Sequence, residues 1–318
     1  MLKSVNLRAL DVHATQTPLI HLDKISRNLN NFVFAKLESC NLTGSHKDRE
    51  SQAMIKDILA RNSSRAVIAS TGNAAISLSA LAPCEGIGVD VFLSKNIEKE
   101  RLGLISAFSP RIHLVPGGYD EAYRESEAFA EKERIYNANP GRNQFKIIGD
   151  SEIGREIVKQ LGSRTPDYIS VPSNNGTLIS GVWRGSKHAR PRMIAAVAPK
   201  SRLMSSIAGY HRLDRQELER TMSESDGQVV PVTDLQAASA LHDLRFDRVF
   251  CEPSAAASLA ALKKLRVKGK TVVLVITGTA FKFLESYVSA TQAAARKKQV
   301  SRIYVPASAS NRSAILST

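Results

Sequence analysis

Short apolar runs alternate with segments of helical periodicity along most of this chain, and this alternation constrains the fold more than any other feature. Runs such as Arg65–Ala69, Arg111–Val115 and residues 271–276 predict buried strands, and most segments between them carry apolar residues at helical spacing. Continuous apolar strands that alternate with amphipathic helices form parallel sheets covered by helices on both faces. The sequence therefore predicts an α/β fold.

The predicted elements follow one another with few interruptions. The strands are 32–37, 65–69, 88–93, 111–115, 168–171, 193–197 and 271–276, and the helices are 50–61, 73–81, 97–108, 119–134, 152–161, 178–188, 253–265 and 281–296. An extended entry segment precedes the first strand, and the sequence from 198 to Val232 is less regular.

Composition limits the classes of function. The 318 residues are enough for about two domains, and the formal net charge is +14. The basic residues are scattered, with the densest stretches at 263–270 and 296–302, and the few aromatic residues do not interleave with them. A base-stacking surface needs such interleaving, so we expect no specific nucleic-acid binding. An anionic small substrate, or a proteome that is basic in general, explains the positive charge equally well.

Targeting and metal-binding signals are absent from the sequence. No apolar run approaches the roughly 20 residues of a membrane span, and residues 1–6 lack the apolar core of a secretory signal. The cysteines, Cys40, Cys84 and Cys251, stand far apart, which argues against a zinc site or a disulfide framework. We therefore expect a cytoplasmic protein with no metal site and no membrane contact.

Four predicted strand-to-helix junctions carry residues suited to ligand binding, and ligands of parallel sheets lie beyond the carboxyl ends of the strands. Residues 41–49, Asn-Leu-Thr-Gly-Ser-His-Lys-Asp-Arg, place Lys47 in a first helical turn, where the macrodipole lowers the pKa of an ammonium group. Residues 70–74 suit a carboxylate, residues 173–177 suit a phosphate, and the hydroxyls of 277–279 suit a ring edge. Each junction alone is equally well explained as an ordinary turn or a solvated helix start.

The combination of the four junctions is more informative than any one of them. Together they supply an amine nucleophile, a carboxylate cradle, a phosphate cradle and a polar group for a heterocycle. This set suits pyridoxal phosphate with an amino-acid substrate, since a lysine forms a Schiff base with that cofactor and the cofactor ring acts as an electron sink.

These motifs resemble those of the fold-type II pyridoxal-phosphate enzymes, most closely the threonine synthases. Residues 41–49 look like the motif around the cofactor lysine, 70–75 like the asparagine loop, and 171–181 like the phosphate loop. Residues 252–259 and 277–282 are similar to two late motifs, so the resemblance covers nearly the whole chain. It implies an architecture like that of the tryptophan synthase β subunit, with parallel sheets covered by helices and the cofactor between two domains.

The resemblance also implies domain limits and residue roles. A large cofactor-binding domain would comprise 1–41 plus 146–318, a smaller mobile domain would comprise 42–145, and the protein would be a homodimer. Lys47 would hold the cofactor and shuttle protons, Asn73 would contact the ring hydroxyl, and Thr277 would bind the ring nitrogen. The phosphate would be held by Ser173, Asn174, Asn175, Gly176 and Thr177, and the substrate carboxylate by Ser70, Thr71, Gly72, Asn73 and Ala74. Glu252 would either sit near the ring or cap the helix that follows it.

Three departures from the family pattern bear on function. Asn174, Thr177 and Leu178 replace Gly, Gly and Asn in the phosphate loop, where we expect the Thr177 hydroxyl to compensate. His46 replaces a Phe beside the lysine; we favour a space-filling ring over a second acid/base group. Residues 149–152 lack the Lys-Thr pair that threonine synthases usually show there.

The resemblance implies a lyase that converts O-phosphohomoserine to threonine and phosphate. One alternative is β-replacement or dehydration of serine, phosphoserine or threonine, as in cysteine, cysteate or diaminopropionate synthases or in dehydratases. A second alternative is a non-catalytic protein that keeps the fold for binding or regulation. Under either catalytic alternative the partner is a small amino acid, and a basic pocket would favour a phosphorylated one.

Overall fold

The computed structural model describes residues 16–209 and 213–285, together with 287, 288, 290 and 292. The predictions for residues 1–6 and 296–302, and for the end of the last predicted helix, lie outside these residues. None of the described helices is long and apolar enough to cross a lipid bilayer.

The described chain forms strands and helices in near alternation. The strands are β1 Leu19–His21, β2 Phe32–Lys36, β3 Arg65–Ala69, β4 Gly88–Ser94, β5 Arg111–Val115, β6 Tyr136–Asn137, β7 Tyr168–Pro172, β8 Arg192–Val197, β9 Gln228–Pro231 and β10 Thr271–Val275. The α-helices are α1 Asp23–Leu29, α2 Lys47–Ala60, α3 Asn73–Leu81, α4 Lys99–Ser106, α5 Tyr119–Glu133, α6 Phe145–Leu161, α7 Thr177–Ser186, α8 Arg215–Glu224, α9 Asp234–Leu244 and α10 Pro253–Leu265.

The strands assemble into two sheets. One has the order β1-β2-β10-β7-β8-β9, and only its edge strand β1 runs antiparallel to its neighbour. The other has the order β5-β4-β3-β6 and is parallel throughout. Every residue of β7 and β10 is buried, as expected for central strands covered on both faces. The predicted α/β class with parallel sheets covered by helices is confirmed.

The four-stranded sheet is built from a single continuous part of the chain, from β3 to β6, and the six-stranded sheet from the parts before and after it. The proposed domain limits, 42–145 within 1–41 plus 146–318, are compatible with this arrangement. They stay a prediction, as does the movement of the smaller domain.

The element prediction was wrong or incomplete in several places. It did not include β1, α1, β6 or α9. Helix α6 begins at Phe145 instead of 152, because the Asn143 side chain accepts from the Phe145 N–H at 3.0 Å and charged residues in the first turns are buried against other helices. The stretch from 198 to 232 contains α8 and β9. Its apolar pattern is weak because α8 buries only Leu218 and Thr221 and β9 is a mostly exposed edge strand.

Candidate active site

All four predicted junctions open onto one cavity of about 480 Å³ between the two sheets. Residues that follow β3, β4, β7 and β10 line it, as the rule for ligand sites in parallel sheets predicts. The predicted site residues on its wall are Lys47, Ser70, Thr71, Gly72, Asn73, Ala74, Ser173, Asn174, Asn175, Gly176, Thr177 and Thr277. Gly278 and Thr279 pack behind Thr277 and are not on the wall.

The turn before α2 places Lys47 beside the end of β10. Gly44 has φ of +79°, and its carbonyl accepts a hydrogen bond from the Thr279 N–H at 3.0 Å. A Cβ at Gly44 would lie 2.7 Å from a Thr279 methyl group, so only glycine fits both the conformation and the space. The His46 N–H donates to the Thr277 carbonyl at 3.0 Å, which attaches the start of α2 to the end of β10.

Lys47 is held by a buried carboxylate. Its Nζ donates to Glu50 Oε1, and Glu50 Oε2 lies 2.8 Å from Lys146 Nζ. Burial by itself lowers the pKa of Lys47, yet the charge of Glu50, the largest opposing cause, raises it above the ordinary value. The prediction that the helix dipole lowers this pKa was therefore wrong, because a carboxylate in contact outweighs the partial charge of a helix end.

Glu50 and its neighbours Lys146 and Asp150 were not predicted as site residues. Although burial by itself raises the pKa of Glu50, the ammonium groups of Lys146 and Lys47 hold it well below its usual range. Burial and the charge of Glu50 raise the pKa of Asp150 well above its usual range. The spacing of Lys47 and Glu50, three apart on a helix, is the one sequence signal that indicates their contact.

A second polar network joins two of the junctions, those at Asn73 and Thr277, through Glu252. The Asn73 side chain donates to Glu252 at 3.2 Å and accepts from Lys282 Nζ at 2.6 Å. The Thr277 hydroxyl lies 3.5 Å from the same carboxylate. Burial raises the pKa of Glu252, against the opposing charge of Lys282. Glu252 stands at the N-cap position of α10, but its side chain makes no capping hydrogen bond. Its carboxylate lines the cavity instead.

The loop before α7 forms a cradle with unpaired polar atoms. Gly176 has φ of +97°, and a Cβ there would lie 2.8 Å from the Leu218 side chain. Ser173 is 3% exposed, and neither its hydroxyl nor the Asn175 Oδ1 has a hydrogen-bond partner in the described part of the chain. The Thr177 hydroxyl donates to Asp214 at 2.5 Å, so it is already engaged and the compensation expected of it is not seen.

Arg101, on α4, adds a cation beside the loop 70–74. Its Nη1 would lie 3.6 Å from a Cβ at Gly72, and its Nη2 donates to the Ser205 hydroxyl at 2.8 Å. Its Nε donates to Glu98, and 14% of the side chain is exposed. Sequence reasoning missed it, because one arginine in a polar helix carries no distinguishing pattern.

His46 is a buried ring beneath the cavity. Its Nδ1 lies 3.3 Å from the Thr277 carbonyl, and burial together with the charge of Lys47 lowers its pKa to about 3. A group that stays neutral at physiological pH does not titrate during a reaction there, which favours the space-filling interpretation.

Replacing His46 by phenylalanine is expected to reduce the loss of stability in acid. The unfolded chain protonates His46 near pH 6.5, whereas the folded chain does not until about pH 3. The unfolded state therefore binds more protons as the pH falls, and His46 costs the wild type about 2 kcal/mol between pH 7 and pH 5. Urea unfolding of both proteins at the two pH values measures the difference. An equal loss in His46→Phe and wild type would contradict the assignment.

Comparisons with known proteins agree with this geometry. The family described as pyridoxal-phosphate dependent enzyme matches residues 10–278. The threonine synthase of Bacillus sp. is 28% identical over 320 residues, which cover 91% of this chain and 90% of that protein.

Solved structures resemble the fold. A cysteine synthase from Entamoeba histolytica has a TM-score of 0.76 at 18% identity and covers 88% of this chain and 89% of its own. Threonine deaminase isoform 2 from Solanum lycopersicum has a TM-score of 0.72 at 19% identity, with 88% and 84% covered. At these identities the likeness establishes the fold alone.

Proposed function

Because the chain belongs to the family of pyridoxal-phosphate dependent enzymes, we propose that it is a lyase of the threonine synthase type, which converts O-phosphohomoserine and water to threonine and phosphate. The observation that carries the proposal is that the amine of Lys47 shares one cavity with the loop 70–74, the cradle 173–177 and Thr277. The similarity to a threonine synthase over nine tenths of the chain supports the same choice.

The residues of the cavity fit pyridoxal phosphate. The hydroxyl of Ser173 is buried without a partner among the described residues, and the chain turns at Gly176 so that α7 begins at the cradle. Backbone N–H groups at a helix start and a free hydroxyl are donors that a phosphate accepts from. Burial raises the pKa of Asp214, and its carboxylate accepts from the Thr177 hydroxyl. Residues 173–177 would hold the phosphate group of the cofactor. The side chain of Lys47, which is 23% exposed, would bind the carbonyl carbon of the cofactor's aldehyde group.

The chain's own groups would then divide the work. Bound here, pyridoxal phosphate supplies an electron sink for the electron pair left when the α proton of an amino acid is removed. Lys47 would take that proton and return protons to the substrate carbons beyond it. Residues 70–74 would hold the substrate carboxylate, so that the α carbon faces Lys47. The neutral hydroxyl of Thr277 would bind the ring nitrogen without adding a charge, which suits elimination better than transamination.

Arg101 supports a phosphorylated substrate. The cationic side chains among the described residues of the cavity wall are those of Lys47, Lys146 and Arg101. Lys146 is paired with Glu50, and Lys47 is assigned to the cofactor. Arg101, beside Gly72, is paired among the described residues only with the exposed carboxylate of Glu98, a pairing that solvent weakens. We therefore assign Arg101 to the anionic leaving group at the far end of the substrate.

Replacing Arg101 by glutamine is expected to raise the KM for O-phosphohomoserine about tenfold to a hundredfold, the effect of losing one charge-assisted hydrogen bond. The KM for unphosphorylated serine or threonine, if either is turned over, should stay within about twofold. Lys99→Gln, an exposed change on the same helix, is the matched control. Steady-state kinetics with melting curves for each variant separate binding from stability; an unchanged KM for the phosphorylated substrate would contradict the assignment.

A second candidate is β-replacement or dehydration of serine, phosphoserine or threonine. The pairing of Lys146 with Glu50 favours it, because this pairing removes one buried cation from recognition of a distal phosphate. The deciding experiment incubates the loaded protein with each amino acid and measures phosphate, oxoacid and amino-acid products. Threonine and phosphate from O-phosphohomoserine support the first proposal, whereas an oxoacid, or a new amino acid formed from a serine derivative and a nucleophile, supports the second. No product from any of them would contradict both and favour a binding or regulatory protein.

The proposal includes two features carried over from the family resemblance, a mobile domain of residues 42–145 and a homodimer, and a cytoplasmic location inferred from the cysteine spacing and the N-terminal sequence. Analytical ultracentrifugation of the purified chain measures directly whether it is a homodimer.

A further inference from the structure

Glu50 is a buried carboxylate between two ammonium groups. Its side chain is 1% exposed, one oxygen accepts from Lys47, and the other lies 2.8 Å from Lys146. Lys146 is itself 2% exposed and also donates to the Ala138 carbonyl at 3.3 Å. A buried charge is stable only with a close partner, so Lys146 fixes Glu50 from the side opposite Lys47.

Titratable groups face this pair from three parts of the chain, whereas α3, which also packs against α2, has none. At the start of α2 they are His46, whose Nε2 lies 3.7 Å from Glu50 Oε1, and Lys47. On α6 they are Lys146 and Asp150, and Asp214 precedes α8. Asp150 is fully buried, and one of its oxygens lies within 4.8 Å of the nearest ligand atoms of Glu50 and His46. The spacing of these three suits a metal ion, but the two ammonium groups on Glu50 already neutralise it and would repel a divalent cation.

We propose that in the free chain Glu50 is a fixed counterion of the Lys47 nitrogen, held in place by Lys146. Glu50 aims this nitrogen into the cavity and holds it protonated there until the amine loses a proton to react with a ligand. Because Lys146 anchors Glu50 from the other side, the carboxylate stays in place when the Lys47 side chain moves toward a ligand. The ion pair is a property of the free chain, and its use in catalysis rests on the proposed function. Glu50 is thus a positioning residue that acts through Lys47.

Asp150 is a second carboxyl group in the same cluster, and it can take the negative charge when Glu50 is absent. Two buried carboxylates at this distance do not both ionise readily, and the partners of Glu50 favour its charge over that of Asp150. If Glu50 is made neutral, Asp150 is free to ionise and to replace part of the lost charge. A single change at Glu50 therefore removes only part of the negative charge beside Lys47. Removing all of it requires Glu50→Gln together with Asp150→Asn.

The test measures the pH at which Lys47 becomes nucleophilic in the full-length chain without cofactor. Reductive methylation with formaldehyde and a borane reductant, over pH 7 to 11, labels unprotonated amines, and mass spectrometry of the peptide that contains Lys47 gives the rate. The exposed Lys95 in the same digest is the internal reference. We expect Lys47 to react at least about tenfold faster at pH 8 in the double variant than in wild type, which corresponds to a drop of one pKa unit or more. The single variant Glu50→Gln should lie between the two.

Asp57→Asn, a carboxylate change farther along α2 and away from the cavity, is the matched control and should leave the rate unchanged. Circular dichroism checks that each variant is folded. Should Glu50→Gln fail to fold with Lys146 left unpaired, Glu50→Gln with Lys146→Gln removes both charges. Lys47 should still react faster in this variant, because the lost attraction of Glu50 acts in direct contact, whereas the lost repulsion from Lys146 acts over a longer distance.

An unchanged Lys47 rate in the folded double variant would overturn the proposal. Because no cofactor or substrate is used, this result would leave capture of pyridoxal phosphate untouched. Conversely, a protein that fails to bind pyridoxal phosphate would still show whether Glu50 holds Lys47.

Discussion

Replacing Lys47 by alanine is expected to lower turnover of the amino-acid substrate by at least about a thousandfold. The side chain is assigned two tasks, covalent attachment of the cofactor and proton transfer, and proton transfer by a placed side chain alone contributes 10²–10⁴-fold. The two other lysines that the described residues place near the cofactor site are both engaged: Lys146 is buried against Glu50, and Lys282 donates to Asn73. Phosphate release from O-phosphohomoserine, or product formation from whichever amino acid is turned over, measures the loss.

Lys56→Ala, an exposed change on the same helix, is the matched control and should keep wild-type turnover. Melting curves of both variants test whether removing the partner of Glu50 weakens the fold. A Lys47→Ala protein that is folded and retains more than about a tenth of wild-type turnover would contradict the role assigned to Lys47.

Replacing Gly185 by alanine is expected to lower the free energy of unfolding by about 3 kcal/mol or more. A Cβ at Gly185 would lie 1.9 Å from the Ser151 carbonyl oxygen and 2.8 Å from the Arg155 nitrogen. Both atoms belong to the backbone of α6 and cannot swing aside as the end of a long side chain can. At the same contact a Cβ on Gly154 would lie 2.1 Å from the Val182 carbonyl, so α6 and α7 touch through glycines on both sides. The two helices would have to move apart.

Gly103→Ala is the matched control for this prediction. Gly103 is also inside a helix, α4, and nothing lies within 4 Å of the position of its Cβ. Alanine there should be neutral or stabilising by up to about 1 kcal/mol, since it restricts the unfolded chain and favours the helix. Urea unfolding followed by circular dichroism measures both changes. Equal effects of the two substitutions would contradict close contact between α6 and α7.

Several elements follow from the apolar pattern alone. β3, α3, β5 and α10 begin and end at the residues that the sequence predicts, because their apolar runs are continuous and bounded by turn residues or by a proline in the first helical turn. The grouping of the four junctions around one cavity follows from parallel strands, whose carboxyl ends lie at one edge of a sheet.

The charged groups of the site were harder to predict. Lys146 and Asp150 belong to the start of α6, where buried polar residues hide the helical period, and their meeting with Glu50 depends on how α6 packs against α2. The direction of the Lys47 pKa shift depends on the same packing. The helix dipole is visible in a sequence, whereas the burial of a neighbouring carboxylate is not. Arg101 reaches the cavity only because the two sheets face each other across it.

Capture of pyridoxal phosphate by Lys47 is measured most directly by incubating the purified chain with the cofactor, adding borohydride and mapping the modified lysine by mass spectrometry. Reduction fixes the cofactor on the amine that holds it. We predict one phosphopyridoxyl group per chain, on Lys47, and none on the Lys47→Ala variant. A modification on Lys146 or Lys282 instead, or a chain that remains unmodified under conditions that saturate a known pyridoxal-phosphate enzyme, would contradict the assignment of this cavity as the cofactor site.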